Sequence, residues 1–198
     1  MSTVFEIVET FNYLSRNEQQ KNELKAAIMP YLVWPLGHHD WKIRRYTCKI
    51  YLLNETDAEL RDLFTQEHVV QNFLFLLRHD CTEVKLLILE LFEAFFCSLS
   101  ISELRQFHSQ YEVFDVYFDL LPHQETRISL RILRRLFICL SVERRVGEQE
   151  QESLKMHFVQ KGLLEVLRKL WMQGDEELDH LVRRGVGRFF PTLEKDFF

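Results

Sequence analysis

The chain repeats itself, and that fact constrains its fold more than any single motif. Sliding Glu59 through Ser100 forward by 44 positions places Leu60 on Leu104, Arg61 on Arg105, Gln66 on Gln110 and Val69 on Val113. Further along, Phe73 falls on Tyr117, Leu77 on Leu121, Val84 on Ile128, Ile88 on Ile132 and Leu89 on Leu133. A further shift of 50 reaches Leu154, Lys155, Gln160, Leu163, Leu167, Trp171, Leu178 and Val182. Sliding back by 41 lands on Ile28, Leu32, Leu36, Ile43 and Ile50. Four copies in register over the compared helices imply a stack of similar units, because one such unit cannot bury its own apolar faces.

Each copy has the same internal grammar. A short amphipathic piece (59–65, 103–109, 153–159) precedes a longer apolar one with residues at i, i+1, i+4, i+5 and i+8, as in Val69, Val70, Phe73, Leu74 and Leu77. That spacing marks one face of a helix. A turn follows at His38-His39-Asp40, His79-Asp80, Pro122-His123-Gln124 and Gly174-Asp175, and a third helix carries Val84, Leu87, Ile88, Leu91, Phe92, Phe95 and Phe96. Three capping boxes, Ser15-x-x-Glu18, Thr56-x-x-Glu59 and Ser100-x-x-Glu103, open successive copies; in each, hydroxyl and carboxylate can satisfy reciprocal orphan N–H groups. Asp80-x-x-Glu83 resembles the same device with Asp as the cap of a third helix. The expansion of the repeat to 50 residues falls at 142–151, a polar stretch expected to be a surface loop.

Composition agrees with this pattern. Seventeen Phe stand against 6 Gly and 4 Pro, too few turn-makers for a sandwich or barrel. Phe92, Phe95, Phe96, Phe137, Phe189 and Phe190 sit late in third helices, where large rings fill the space between layers; truncating one to Ala should cost about 3–5 kcal/mol. Gly185 and Gly187 lie inside a helical pattern and imply close helix packing or a weakened last helix. Phe197-Phe198 could either pack back on the last helix or anchor a partner.

A three-helix unit recurring every 41 to 50 residues resembles the armadillo repeat, with the two-helix HEAT repeat as its neighbour. The closest match is Phe158-Val159-Gln160-Lys161-Gly162-Leu163-Leu164-Glu165-Val166-Leu167-Arg168-Lys169-Leu170, with Gly between the first and second helices. The resemblance implies an all-α, right-handed α-solenoid of about four armadillo-like repeats forming a single domain, with an N-terminal capping helix at 3–15 and repeats at about 16–56, 57–101, 102–151 and 152–194. In armadillo proteins the third helix lines the concave surface, so the resemblance implies that its polar residues form a binding groove. Here these are Lys42, Arg45, Lys49, Glu90, Arg127, Arg131, Arg134, Arg184 and Arg188, with Arg135 adding to the basic side. The segment 125–140 holds four Arg and one Glu, whereas 80–97 holds four acids and one Lys, so the groove is expected to be basic with an acidic break at the second repeat. Peptide-gripping armadillo proteins carry Asn late in this helix; the positions here are Leu53, Ala94, Ile138 and Arg188, which speaks against a conventional extended-peptide groove.

Catalytic and metal signatures are missing from the sequence. It contains no G-x-S-x-G, P-loop, H-E-x-x-H or dinucleotide fingerprint, and no enzyme, cofactor or metal is expected. Packed helices lie about 8–10 Å apart while zinc needs nitrogens at about 2.0–2.1 Å, so the eight histidines, among them His39, His79 and His123 in the repeat turn, read as turn and capping residues too distant to share an ion. Cys48, Cys81, Cys97 and Cys139 form neither C-x-x-C nor a disulfide framework; Cys97 and Cys139, in apolar runs, read as inert core thiols. No apolar run approaches the ~20 residues that cross a bilayer, and Glu6 stands where a signal peptide carries Lys or Arg. A cytoplasmic or nuclear protein follows.

The expected function is that of a non-enzymatic adaptor or complex subunit. It would hold a protein partner, such as an acidic or phosphorylated segment, on the third helices or the solenoid ends, where two copies could also join. The alternative is nucleic-acid binding by the Arg-rich third helices, against which stand the net charge of −5 and the acidic second repeat.

Overall fold

Helices account for the regular structure of the described residues. The computed structural model describes residues 27, 29–52, 56–121, 125–146, 154–193 and 197, and among them there are eleven α-helices and no strand. In chain order these are α1 (Val33–Leu36), α2 (Trp41–Tyr51), α3 (Asp57–Thr65), α4 (Glu67–His79), α5 (Thr82–Cys97), α6 (Ile101–Tyr111), α7 (Val113–Leu120), α8 (Thr126–Val146), α9 (Leu154–Gln160), α10 (Leu163–Trp171) and α11 (Glu176–Phe189). Short 3₁₀ turns occupy Met29–Tyr31 and Pro191–Leu193. No helix among the described residues is long and apolar enough to cross a membrane. The chain divides into two compact units, Met1–Ser98 and Leu99–Phe198.

Helix starts follow local chemistry. Both capping boxes within the described residues form: Thr56 and Ser100 accept from the N–H of Glu59 and Glu103, and each Glu carboxylate accepts in return from its cap's N–H. The box at Ser15 lies outside the described residues. Asp80 departs from its expected capping role. Cys81 holds the N-cap position of α5 without a side-chain bond, and the Asp80 carboxylate turns instead to Arg44. Asp40 caps α2 by accepting from Lys42 N–H, while His38 Nδ1 accepts from Asp40 N–H, so this histidine is a turn residue as expected.

In the first unit, α2 lies along α5, and α3 and α4 pack on α5 as well. The core between them is aromatic: Tyr51, Phe64, Phe73 and Phe92 interlock, and Phe64 stacks on Phe95 with ring centroids 4.1 Å apart. Arg44 clamps two turns together. Its guanidinium grips Asp80 with two hydrogen bonds of 2.6 and 2.7 Å and donates to the carbonyls of His38 and His39. Asp80 has only 2% of its side chain exposed. Burial alone would raise its pKa, but the Arg44 guanidinium and the Cys81 N–H hold it below the usual carboxylate range.

The second unit repeats the plan. α8 lies along α11, α6 and α9 pack on α8, and α10 packs on α11. Phe114 and Phe158 meet edge to face, Phe118 joins them, and Phe137 stacks on Phe189. All six Phe rings named above are buried, from 0% exposure at Phe92 to 8% at Phe137, although Phe190 lies just past the end of α11 rather than in it. Gly185 is buried against the Phe137 ring, so its role is close helix packing. Phe197 is buried, with the Arg168 guanidinium of α10 5.3 Å from its ring centre. Phe198 lies outside the described residues.

Segment 142–151 differs from the expected loop. Residues 142–146 continue α8, and 147–151 lie outside the described residues. The reason is Glu143, which is turned inward and buried: its carboxylate accepts from Arg105 at 2.7 Å and from the N–H groups of Leu154 and Lys155 at 2.5 and 3.1 Å. One side chain thus joins α6, α8 and the first turn of α9. The aligned arginines play parallel parts, since Arg61 on α3 donates to the Ser98 carbonyl at the end of α5, as Arg105 on α6 reaches the end of α8.

Two turns share a backbone device. Glu112, between α6 and α7, has φ +52°, and Gly162, between α9 and α10, has φ +84°. These positions coincide under the 50-residue shift. Glycine adopts this left-handed region without a Cβ penalty, whereas Glu does not.

Candidate functional site

The third helices α2, α5, α8 and α11 set out the charged residues read from the sequence. On α2, Lys42 and Lys49 are exposed and Arg45 is half-buried; Lys49 Nζ lies 6.0 Å from the Tyr46 ring centre. Glu90 is exposed on α5. On α8, Arg127 and Arg134 are exposed and Arg131 is half-buried, at the i, i+4, i+7 spacing of a single face. Ile138 and Val142, 44% and 40% exposed, continue that face, so three arginines lead into an apolar end. Arg184 and Arg188 are exposed on α11, which packs along α8, and Arg134 crosses to Glu177 in an exposed ion pair. Arg135 does not belong to this surface; it is 5% exposed and faces inward. Cys97 also departs from expectation, being exposed, while Cys139 is buried and no disulfide joins any of the four cysteines.

A second constellation was not legible as a motif. His108 in the last turn of α6, Asp115 in the first turn of α7 and His157 in α9 converge. The Nε2 atoms of His108 and His157 are 3.0 Å apart, and His157 Nε2 is 3.3 Å from Asp115 Oδ1. Histidines from successive layers therefore do meet, contrary to the expectation from interhelical spacing. The rings are long enough to span the gap from the turns where α6, α7 and α9 approach. Phe114 and Phe158 flank them, with ring centroids 4.9 Å from His108 and 6.1 Å from His157 respectively. Lys161 donates to Asp115 Oδ2 at 2.8 Å.

The electrostatics follow from burial and these neighbours. Desolvation, and then the adjacent His157 ring, push His108 down to about 4, so it is neutral at physiological pH. Burial would raise Asp115, but Lys161 and the two rings hold it below the usual carboxylate range. His39 and His79 are exposed and do not join this cluster; His123 lies outside the described residues.

No family model and no curated protein matches the chain. Among solved structures, it is similar to an engineered protein determined by the Northeast Structural Genomics Consortium, with a TM-score of 0.59 and 14% identity over 94% of this chain and 81% of that one. A second engineered protein from the same source gives a TM-score of 0.58 and 15% identity over 92% and 78%. The likeness is one of fold. It supports an all-helical architecture and carries no information about activity.

Proposed function

We propose that this chain is a non-enzymatic, armadillo-like helical-repeat adaptor of the cytoplasm or nucleus that binds a protein partner through its third helices. The solenoid reading draws support from helix triplets that each end in their longest member, α5, α8 and α11, and from the lengthwise pairing of third helices within each unit, α2 with α5 and α8 with α11. The observation that carries the binding reading is the face of α8, where Arg127, Arg131 and Arg134 lead into Ile138 and Val142 beside Arg184 and Arg188 of α11. Guanidinium groups form charge-assisted, bidentate bonds to carboxylate and phosphate. An apolar end to the basic stripe suits a peptide with acidic or phosphorylated residues followed by an apolar one, and it gives nothing to a phosphate backbone.

The test compares the wild-type chain with a variant carrying Arg131→Glu, Arg134→Glu and Arg184→Glu. A partner recovered from the native cell binds the variant at least about 100-fold more weakly, the consequence of losing two charge-assisted bonds of about 1.5–3 kcal/mol each. Unchanged affinity in a variant of unaltered helicity would sink the groove reading. Steeply salt-dependent retention on RNA, lost in the same variant, would transfer the surface to nucleic acid.

A further inference from the structure

We propose that His108, Asp115 and His157 form a binding site for a zinc-class divalent cation that ties α6 and α7 to α9. Neutral imidazole nitrogen and carboxylate oxygen are the donor types zinc takes, and three protein ligands with one open position is an established zinc arrangement. The spacing fits. Ligands at about 2.0–2.1 Å from a tetrahedral ion lie about 3.3 Å from one another, and the separations here are 3.0 Å between the two Nε2 atoms and 3.3 Å from His157 Nε2 to Asp115 Oδ1. All three ligand atoms fall within 4.8 Å of one another.

Proton counting supports the same conclusion. With Nδ1 of His108 accepting from Phe114 N–H, the ring's one proton sits on Nε2 and points at His157 Nε2. Asp115 Oδ1 then faces a lone pair. With the His157 proton on Nε2, that single N–H serves Asp115 or His108 but not both fully, and Phe114 N–H is left facing Nδ1–H. A dication satisfies all three inward-facing atoms together; like the second tautomer it puts the His108 proton on Nδ1 and so gives up the bond from Phe114 N–H, which is a long one of 3.4 Å. Lys161 on Oδ2 orients the carboxylate so that Oδ1 faces the two imidazoles, the outer-shell role that tunes metal sites. The aromatic neighbours Phe114 and Phe158 fix the two rings in place.

The experiment titrates chelator-treated full-length chain with Zn²⁺ by calorimetry and with Co²⁺ by visible absorption. The expected result is one ion per chain, with the intense visible bands of tetrahedral Co²⁺ and a raised melting temperature in Zn²⁺. His108→Gln and His157→Gln each weaken binding by more than the ~10–100-fold typical of outer-shell changes, and His180→Gln, on exposed α11 surface, leaves it unchanged. Asp115→Asn, which preserves shape, weakens binding while leaving metal-free helicity intact, and so keeps the test decisive if a histidine variant misfolds. Folded wild-type chain that takes up no ion, or binding that survives all three ligand substitutions, overturns the proposal.

Discussion

Gly185→Ala is a substitution whose sign depends on one contact. In a solvent-facing helix interior, Gly→Ala stabilises by about 0.8–1.0 kcal/mol through backbone entropy. At Gly185 a Cβ would land in the Phe137 ring, within 2.6 Å of Cε1 and nearer still to Cζ and Cε2. The ring cannot swing aside freely, because it is 8% exposed and stacked on Phe189 with centroids 5.7 Å apart. Overpacking of this kind costs about 1–3 kcal/mol. Net destabilisation of about 1 kcal/mol is therefore expected for G185A, read as a lowered urea midpoint at unchanged slope. Phe137→Leu removes the three atoms that meet the new methyl. In that background G185A should stabilise by nearly the full helix-propensity gain, giving a coupling of about 1–3 kcal/mol between the two sites. A G185A chain more stable than wild type with Phe137 intact, or a double mutant showing no coupling, would refute the close-packing account of α8 and α11.

Two further predictions concern buried ions. Asp80 has a folded pKa below its unfolded value, so its contribution is present above the unfolded pKa and is lost as pH falls through the folded one; Asp80→Asn should flatten the acid limb of stability below about pH 4 and cost about 3–5 kcal/mol at neutral pH by stranding Arg44. A pH–stability profile parallel to wild type would show that the clamp contributes nothing. Glu143→Gln should cost about 1.5–3 kcal/mol and deprotect the Leu154 and Lys155 amides in hydrogen exchange, whereas unchanged protection there would show that α9 starts without its carboxylate.

What could be read from the letters was what acts over a few residues. The boxes at Thr56 and Ser100 are closed by groups three positions apart, and the apolar spacing of 69–77 marks a helix face without reference to anything distant. Gly185 within a helical pattern left close packing and a weakened last helix as its two readings, and only the Phe137 ring decides between them. Other roles were set by partners 36 or more residues away. Asp80 looks like a cap until Arg44 is placed beside it, and His108 and His157 are 49 residues apart in the chain. Charge counts on third helices likewise could not separate the outward Arg131 and Arg134 from the inward Arg135, because one helical step of 100° moves a side chain from water to core. The extension of α8 past Leu140 was hidden for a related reason. A polar stretch reads as loop unless one of its acids, here Glu143, is known to be buried.

The shared left-handed turn at Glu112 and Gly162 bears on how two copies within one chain can diverge. In one copy the torsion is held by glycine, and in the other by a residue that incurs a steric penalty of about 1 kcal/mol to keep it. What recurs at this corner is an angle rather than a letter. The fold can keep its geometry while its spelling changes, so long as packing elsewhere absorbs the strain.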